Sequence, residues 1–333
     1  MTTETLRAGL VGLGMMGRNH ARVLGSLDGV ELVAAADELV TELPGVPMVV
    51  PTVHDLIAAG IDICVVAAPT EAHLDLGLAL ADAGVVTLIE KPLGFDISEC
   101  DKLVAAFAAS GTEACVGQIE RFNPALIALR TRLLAGELGD IFQIATRRQG
   151  PFPNRIRDVG VIKDLATHDV DLTAFVADSQ YVSVGAHTAH KTGREHEDLL
   201  AATGMLADGT VTNHLVNWLS PLKERVTVVT GERGCFIADT LTADLTFCAN
   251  GEVTTQWDAI SNFRGVTEGD VVRYAIPKPE PLRSELEALR DLALGLPNNA
   301  VPLSAGRAAV AVAEAMIESA AAGNTVDVAA AQI

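Results

Sequence analysis

Basic residues are scarce in this chain. Its 333 residues include 24 lysines and arginines against 43 aspartates and glutamates, which gives a formal net charge of −19. Nucleic acids and anionic membranes are polyanions that attract basic proteins. The charge balance therefore argues against both as partners and makes any local cluster of arginines informative.

Long apolar runs and paired cysteines are also missing. No stretch reaches the roughly 20 apolar residues of a membrane helix, and residues 1–4 do not begin the basic-then-apolar pattern of a secretory signal. The five cysteines are an odd number, lie far apart and include no C-x-x-C pair. These absences predict a cytoplasmic protein with reduced thiols.

A G-x-G-x-x-G motif lies near the start of the chain. Apolar residues 8–11 predict a buried strand, Gly12, Gly14 and Gly17 follow, and residues 18–27 predict a helix. In this order the first glycine permits a tight turn, the second lets the backbone approach a pyrophosphate, and the third lets helix and strand pack closely. The helix N-terminus offers free N–H groups to phosphates, so the motif predicts a dinucleotide site.

A second predicted strand, 30–36, ends on Asp37, twenty residues after Gly17. A carboxylate there can bind the adenosine ribose hydroxyls and repels a 2′-phosphate, which favours NAD over NADP. The alternative is a structural glycine turn and a solvated aspartate in an ordinary doubly wound domain.

Strands and helices alternate through residue 117, which predicts an α/β domain with a doubly wound parallel sheet, the Rossmann arrangement. Ligands in such sheets bind beyond the carboxyl ends of the strands. Gly12, Asp37, Pro69 and Lys91 each follow a predicted strand, so we expect them to share one edge of the sheet.

The pattern changes near residue 119. It predicts a helix over 123–135, a strand over 140–148, a Pro/Gly-rich loop over 149–157 and a helix over 159–176. Alternating strands then run from Tyr181 to about Ala275. Three turn cues separate them, namely Asp208-Gly209, Glu232-Arg233-Gly234 and Asn250-Gly251.

This second half predicts an α+β domain on a mostly antiparallel sheet. We place the domains at 1–120 and 121–333. Two closing helices, about 282–294 and 305–322, are expected to pack back near the first domain.

Lys91 follows a predicted buried strand and precedes Pro92, which restricts its backbone. At the mouth of a dinucleotide site, a lysine can donate to a hydroxyl oxygen and stabilise the alkoxide that hydride loss requires. The alternative is a solvated lysine at a strand end.

Asp164 and His168 are four residues apart on a predicted helix, so they share one face. A histidine titrates near neutral pH and can take a hydroxyl proton while hydride leaves, and Asp164 can bind or orient the substrate. The alternative is an ordinary pair on a helix surface. No metal site is expected, since His187 and His190 point to opposite faces of a predicted strand.

Residues 141–157 form an arginine-rich segment with no acidic residue. Arginine matches phosphate and carboxylate geometry, so the segment predicts a site for an anionic substrate such as a diphosphate. The alternative is arginines that pair with acids elsewhere in the fold or at an oligomer interface. The arginines concerned, with one that precedes the segment, are Arg121, Arg147, Arg148, Arg155 and Arg157.

With these residues placed, the whole chain resembles the Gfo/Idh/MocA family of oxidoreductases. The resemblance rests on the glycine turn together with Pro69-Thr70-x-x-His73, Glu90-Lys91-Pro92 and Asp164-x-x-x-His168. It implies a Rossmann domain, a second domain whose open sheet makes homodimer or homotetramer contacts, and hydride transfer between NAD or NADP and a sugar or cyclitol. It also implies that Lys91, Asp164 and His168 are catalytic.

The implied cofactor contacts lie in the glycine turn, at Asp37 and at two later strand ends. They are Gly12, Leu13, Gly14, Met15, Met16, Gly17, Asp37, Pro69, Thr70, His73, Glu90 and Lys91.

Two stretches, 117–124 and 150–162, resemble the members of the family that oxidise the 3-hydroxyl of UDP-N-acetylglucosamine to a ketone. Asn154 and Lys163 depart from that pattern, where a proline and an aliphatic residue are expected. The implied substrate contacts are Glu120, Arg121, Asn123, Arg155, Arg157, Asp164 and His168. The alternatives are another sugar, a UDP-hexuronate or inositol as substrate, or an NAD-binding sensor without catalysis.

Overall fold

The computed structural model describes residues 5–153, 159–251 and 267–328. Its strands are β1 Leu6–Val11, β2 Val30–Ala36, β3 Val49–Val50, β4 Ile63–Val66, β5 Val86–Glu90, β6 Ala114–Gly117, β7 Ile141–Pro151, β8 Tyr181–Ala189, β9 Leu199–Leu206, β10 Val211–Asn217, β11 Leu219–Gly231, β12 Gly234–Asp239, β13 Asp244–Gly251, β14 Thr267–Arg273 and β15 Val326–Asp327.

Within the described residues, two short 3₁₀ turns, Thr70–Ala72 and Ile119–Phe122, and one π-helical segment, Ile162–Ala166, lie between the α-helices. The α-helices are α1 Met15–Leu24, α2 Val53–Ala58, α3 His73–Asp82, α4 Ile97–Ser110, α5 Pro124–Leu134, α6 Thr167–Ala177, α7 Pro281–Ala293 and α8 Leu303–Ala322.

The chain forms two compact units. Among the described residues, the first contains 5–122 and 279–311, and the second contains the rest up to residue 328. The sequence predicts one domain boundary at residue 120. In the structure the chain leaves the first unit after Phe122 and returns to it at Pro279. The return has a physical cause, because Leu282, Leu286 and Leu289 of α7 are buried in the core of the first unit.

The first unit is a six-stranded parallel sheet in the order β3-β2-β1-β4-β5-β6. Its central strands are fully buried runs, such as Ile63 to Val66 in β4, because helices cover both faces. The order reverses at β1, which pairs with β2 on one side and β4 on the other. The predicted Rossmann sheet is confirmed, and ligands of such sheets bind where the order reverses.

The second unit is a nine-stranded sheet in the order β14-β13-β12-β11-β7-β10-β9-β8-β15. The pairs are antiparallel except that of β7 with β10, which confirms the predicted mostly antiparallel sheet. Helices α5 and α6 pack their apolar side chains against Ile144, Val229 and Phe236 of this sheet.

Three local predictions for this half differ from the structure. Residues 149–151 extend β7 instead of beginning a loop, because they pair with β10 and β11. Asn250-Gly251 is no hairpin turn but the end of β13, paired with the start of β14. The predicted helix over 159–176 starts later, with the π-helical segment before α6.

All five cysteines are free thiols, as the sequence predicts. In the described part of the chain, no helix is both long and apolar enough to cross a membrane.

Candidate active site

The glycine turn between β1 and α1 leaves open space at its centre. Gly12 has a φ of +89°, and a Cβ there would lie 2.6 Å from the carbonyl oxygen of Ala67. A Cβ on Gly17 would lie 1.8 Å from the oxygen of Gly12, so α1 packs directly on the turn. At Gly14 a Cβ would meet no atom within 4 Å, so the turn can admit a ligand at this glycine.

No side chain caps the N–H groups at the N-terminus of α1, which could therefore bind an anionic ligand. Gly14 is the N-cap, no side chain caps the helix, and its first turn contains no acidic residue. Uncapped N–H groups and the positive end of the helix dipole bind phosphate. The turn therefore fits the pyrophosphate of a dinucleotide.

Asp37 lies at the end of β2 and is tied to the same turn. Its Oδ2 accepts a hydrogen bond from the N–H of Leu13 at 2.7 Å, and its Oδ1 accepts from Leu39 and Val40 at 2.9 and 2.8 Å. Burial alone would raise the pKa of this carboxyl, but the three N–H donors and the charge of Arg18 together hold that pKa below its ordinary value. Asp37 is an anion that shapes the turn and retains acceptor capacity for a ribose.

Lys91 is half-buried at the end of β5. The loop around it is fixed by His73, whose Nδ1 lies 2.9 Å from the oxygen of Pro92 and whose Nε2 lies 3.1 Å from the oxygen of Ala68. Burial lowers the pKa of His73. His73 thus joins the ends of β4 and β5, and both its ring nitrogens face the protein.

The described strand ends confirm the expected shared edge: Gly12, Asp37, Pro69 and Lys91 follow four strands of one parallel sheet. Pro69 is exposed and Thr70 opens the 3₁₀ turn after it. Both residues follow the carboxyl end of β4, and ligands of such sheets bind beyond the carboxyl ends of the strands.

A buried cluster of titratable groups lies beside Lys91, and no sequence motif indicates it. His20 of α1, Glu90 of β5 and Glu285 of α7 each place one nitrogen or oxygen within 4.8 Å of the others. His20 Nε2 is 2.8 Å from Glu90 Oε1. Only the fold reveals this cluster, because Glu285 is 195 residues from Glu90 in the sequence.

The predicted substrate contacts at 120–123 lie where the first unit ends and the second begins. Glu120 is buried and Arg121 half-buried in the 3₁₀ turn. Asn123 is engaged within the second unit, because its Oδ1 caps α5 at the N–H of Ala125 and its Nδ2 donates to Thr240 O at 3.0 Å.

In the second unit, Asp164 and His168 lie on successive turns at the start of one helical stretch. Asp164 is buried in the π-helical segment, and His168 is half-buried in the first turn of α6. The backbone N–H groups of Val161 and Ile162 donate to the main chain and side chain of Glu197. A side chain at Gly160 would collide with this carboxylate, so this glycine lets the helical stretch begin against Glu197.

An arginine packed against two neighbouring aromatic rings lies next to this helix start. The guanidinium of Arg194 lies 4.2 Å from the ring centroid of Phe152 and 4.9 Å from that of Trp218, and it donates to Val159 O at 3.4 Å. The sequence does not identify this group, because its members come from three separate segments.

Two arginines of the arginine-rich segment form ion pairs, and its other two lie outside the described residues. Arg148 pairs with Asp169 at 2.9 Å, with both side chains only 3% exposed, and Arg147 pairs with Glu224 at 3.1 Å. These two arginines therefore follow the alternative of pairing with acids elsewhere in the fold. Arg155 and Arg157 lie outside the described residues.

Comparison with protein families matches both halves of the chain. The family model for the NAD-binding Rossmann fold of the GFO/IDH/MocA oxidoreductases matches residues 6–118. The model for the GFO/IDH/MocA C-terminal domain matches residues 126–237.

Individual relatives agree on the class of enzyme and differ in substrate. UDP-N-acetylglucosamine 3-dehydrogenase of Acidithiobacillus ferrooxidans is 33% identical over 62% of this chain and 66% of its own length, just under two thirds. A myo-inositol dehydrogenase of Streptomyces leeuwenhoekii is also 33% identical, over 68% of this chain and 74% of its own. A solved structure of the Acidithiobacillus ferrooxidans enzyme superimposes with a TM-score of 0.82 at 27% identity, covering 95% of this chain and 98% of that one.

Proposed function

The chain belongs to the GFO/IDH/MocA family of NAD-binding oxidoreductases, and from that membership we propose that it oxidises the 3-hydroxyl of UDP-N-acetylglucosamine or a close relative to a ketone. The observation that carries the proposal is the position of Lys91, on the same sheet edge as the open glycine turn. The substrate is supported by one enzyme, the UDP-N-acetylglucosamine 3-dehydrogenase of Acidithiobacillus ferrooxidans, which is similar to this chain in both sequence and structure.

NAD, when bound, supplies the hydride acceptor. In this proposal the N–H groups of residues 12–17 bind its pyrophosphate and Asp37 accepts from its ribose. Pro69 and Thr70 border the nucleotide, while the buried side chains of His73 and Glu90 hold the strand ends that form this border.

The proton of the substrate hydroxyl is proposed to pass to His168, a residue type that titrates near neutral pH. Lys91 donates to the same oxygen and stabilises the alkoxide, and Asp164 orients the sugar. In the alternative assignment Lys91 takes the proton and His168 stabilises the oxygen. Arg121, Arg155 and Arg157, with Glu120 and Asn123, are the proposed contacts of the nucleotide part.

Inositol is the second candidate substrate. Two of the five predicted arginines are paired with carboxylates, which weakens the case for a diphosphate, and the myo-inositol dehydrogenase relative is equally identical. A neutral polyol needs no cationic subsite.

The deciding experiment incubates the protein with NAD and either UDP-N-acetylglucosamine or myo-inositol, with hydroxylamine present to trap a ketone. NADH absorbance and product mass are measured together. A trapped keto-sugar, two hydrogens poorer than UDP-N-acetylglucosamine, with equivalent NADH supports the proposal. A ketone trapped only with inositol would identify inositol as the substrate and reject the proposed one. NAD binding without product from either substrate favours a sensor.

We also propose that the chain self-associates through the face of the second unit's sheet that lies opposite α5 and α6. Exposed or half-buried side chains on this face alternate along β7 with buried ones such as Ile144 and Thr146. Sedimentation velocity of the purified chain tests this proposal, and a monomer at micromolar concentration contradicts it.

A further inference from the structure

The cluster of His20, Glu90 and Glu285 is built entirely inside the first unit. The three residues come from α1, β5 and α7 and are 0%, 8% and 2% exposed. Burial of three titratable groups is costly unless they share protons or charges. The cluster must therefore hold a defined set of protons.

Glu90 carries the negative charge of the cluster. Burial opposes ionisation, but His20 donates to Oε1 at 2.8 Å and the backbone N–H of Lys91 donates to Oε2 at 3.2 Å. These bonds and the charge of Lys91 hold the pKa of Glu90 below its ordinary value. Gly117 packs against the same carboxylate, since a Cβ there would lie 3.2 Å from it.

Glu285 is in the opposite state. Among the described residues, neither of its buried oxygens has a hydrogen-bond partner. Burial, reinforced by the charge of Glu90, raises the pKa of Glu285 well above its usual range. A protonated carboxylic acid keeps one O–H to donate, and at 4.8 Å or less one water can bridge it to the other two groups.

The geometry favours a shared proton over a metal ion. The 2.8 Å between His20 Nε2 and Glu90 Oε1 is a hydrogen-bond distance. Two ligands of a tetrahedral zinc ion, each at about 2.05 Å from the metal, lie roughly 3.3 Å apart.

Resting on the proposed function, we propose that Glu285 is a positioning residue for Lys91. As a neutral acid it donates through one bridging water to the pair of His20 and Glu90 and so keeps the Glu90 carboxylate ionised. A neighbouring negative charge stabilises an ammonium, and the ammonium is the form of Lys91 that can stabilise an alkoxide.

Two further titratable groups interact with the cluster. His73 of α3 faces Glu90 and Cys115 of β6 faces Glu285, and burial lowers the pKa of the first and raises that of the second. Both are uncharged at neutral pH, so neither adds a charge to the cluster, and its negative charge comes from Glu90.

The test compares Glu285→Gln, which keeps a neutral donor, with Glu285→Met, which removes it at similar size. His20→Gln is the third variant. The readout is the pH dependence of Lys91 acetylation by acetic anhydride, measured by peptide mass spectrometry, with the exposed Lys102 as internal reference. We expect half-maximal labelling about one pH unit lower in Glu285→Met and His20→Gln, and unchanged labelling in Glu285→Gln.

Labelling needs no substrate, so it separates failure of this inference from failure of the proposed function. Wild-type labelling in Glu285→Met overturns the inference. So does an equal shift in both Glu285 variants, or a shift of the wild type on treatment with a chelator, which would indicate a bound metal ion. Unchanged thermal unfolding shows that the variants are folded.

Discussion

The proposed catalytic side chains are each placed by a different local structure. Lys91 directly follows a buried strand, Asp164 lies in the π-helical segment, and His168 lies in the first turn of α6. Each is at least half-buried. Substitutions at these positions therefore have to be matched with controls that detect a loss of folding.

Replacement of Lys91 by Ala should lower kcat by about 10²–10⁴-fold, because alkoxide stabilisation is lost. NAD binding, measured by fluorescence titration, should persist. Lys102→Ala on the exposed surface of α4 is the matched control and should leave both unchanged. Near-normal turnover in Lys91→Ala would reject the assignment.

Replacement of Asp37 by Asn should relax the preference for NAD. The amide cannot repel a 2′-phosphate, so the ratio of kcat/KM with NADP to that with NAD should rise by at least about tenfold. Glu38→Gln, an exposed neighbour, should leave the ratio unchanged. The idea fails if the two variants behave alike.

Sequence motifs identify such residues without revealing their partners. The glycine spacing identifies Asp37, but not that its carboxylate also accepts three backbone N–H groups. His73 is recognisable in its motif, yet the two carbonyl oxygens that its ring nitrogens face belong to loops 5 and 19 residues away. Spacing along the chain fixes position, whereas hydrogen-bond partners depend on the fold.

At the scale of elements, two glycines of the turn between β1 and α1 are expected to differ in role. Gly17 allows close packing, and Gly14 leaves space for a ligand. Gly17→Ala places a Cβ against Gly12 O, so it should destabilise the first unit and abolish NAD binding. Gly14→Ala places its Cβ in open space and should leave the melting temperature unchanged while weakening NAD binding. Differential scanning fluorimetry with and without NAD measures both, and equal melting temperatures for the two variants would contradict the geometry.

A buried ion pair connects β7 to α6. Arg148→Met leaves Asp169 buried without this partner and should cost about 3–5 kcal/mol in the free energy of unfolding. Arg147→Met, one residue away, breaks an exposed pair and should cost less than about 1 kcal/mol. Urea unfolding compares them, and similar midpoints would show that the Asp169 contact is not structural.

Element types are predictable here and their ends are less so. The alternating apolar pattern identifies β12 and β13, but the extension of β7 to Pro151 follows from pairing with β10 and β11. The π-helical start of α6 is likewise tied to Glu197 from a distant loop. Ends of elements depend on partners that short sequence windows do not contain.

At the scale of the molecule, stability should fall as the solution is acidified. His214 bridges Thr146 and Tyr181 at 2.7 and 2.8 Å, and burial lowers its pKa to about 4 from 6.5. Between these values the unfolded chain binds a proton that the folded chain refuses, so stability decreases as pH falls through this window.

Acidification from pH 7 to pH 5 should therefore lower the free energy of unfolding by about 2 kcal/mol through His214. His214→Gln should remove that part of the pH dependence in urea unfolding. The exposed His187→Gln in β8 is the control and should retain it. An unchanged slope in His214→Gln would refute the prediction.

The first unit is assembled from two distant stretches of chain, and this has a consequence for biosynthesis. The ribosome completes residues 5–122 long before it makes α7, whose Leu282, Leu286 and Leu289 fill the core of that unit. Until α7 is made, the apolar surface of the nascent Rossmann sheet that this helix covers stays exposed. A shortened gene product ending at residue 278 would keep that surface exposed and become a substrate for chaperones and proteases.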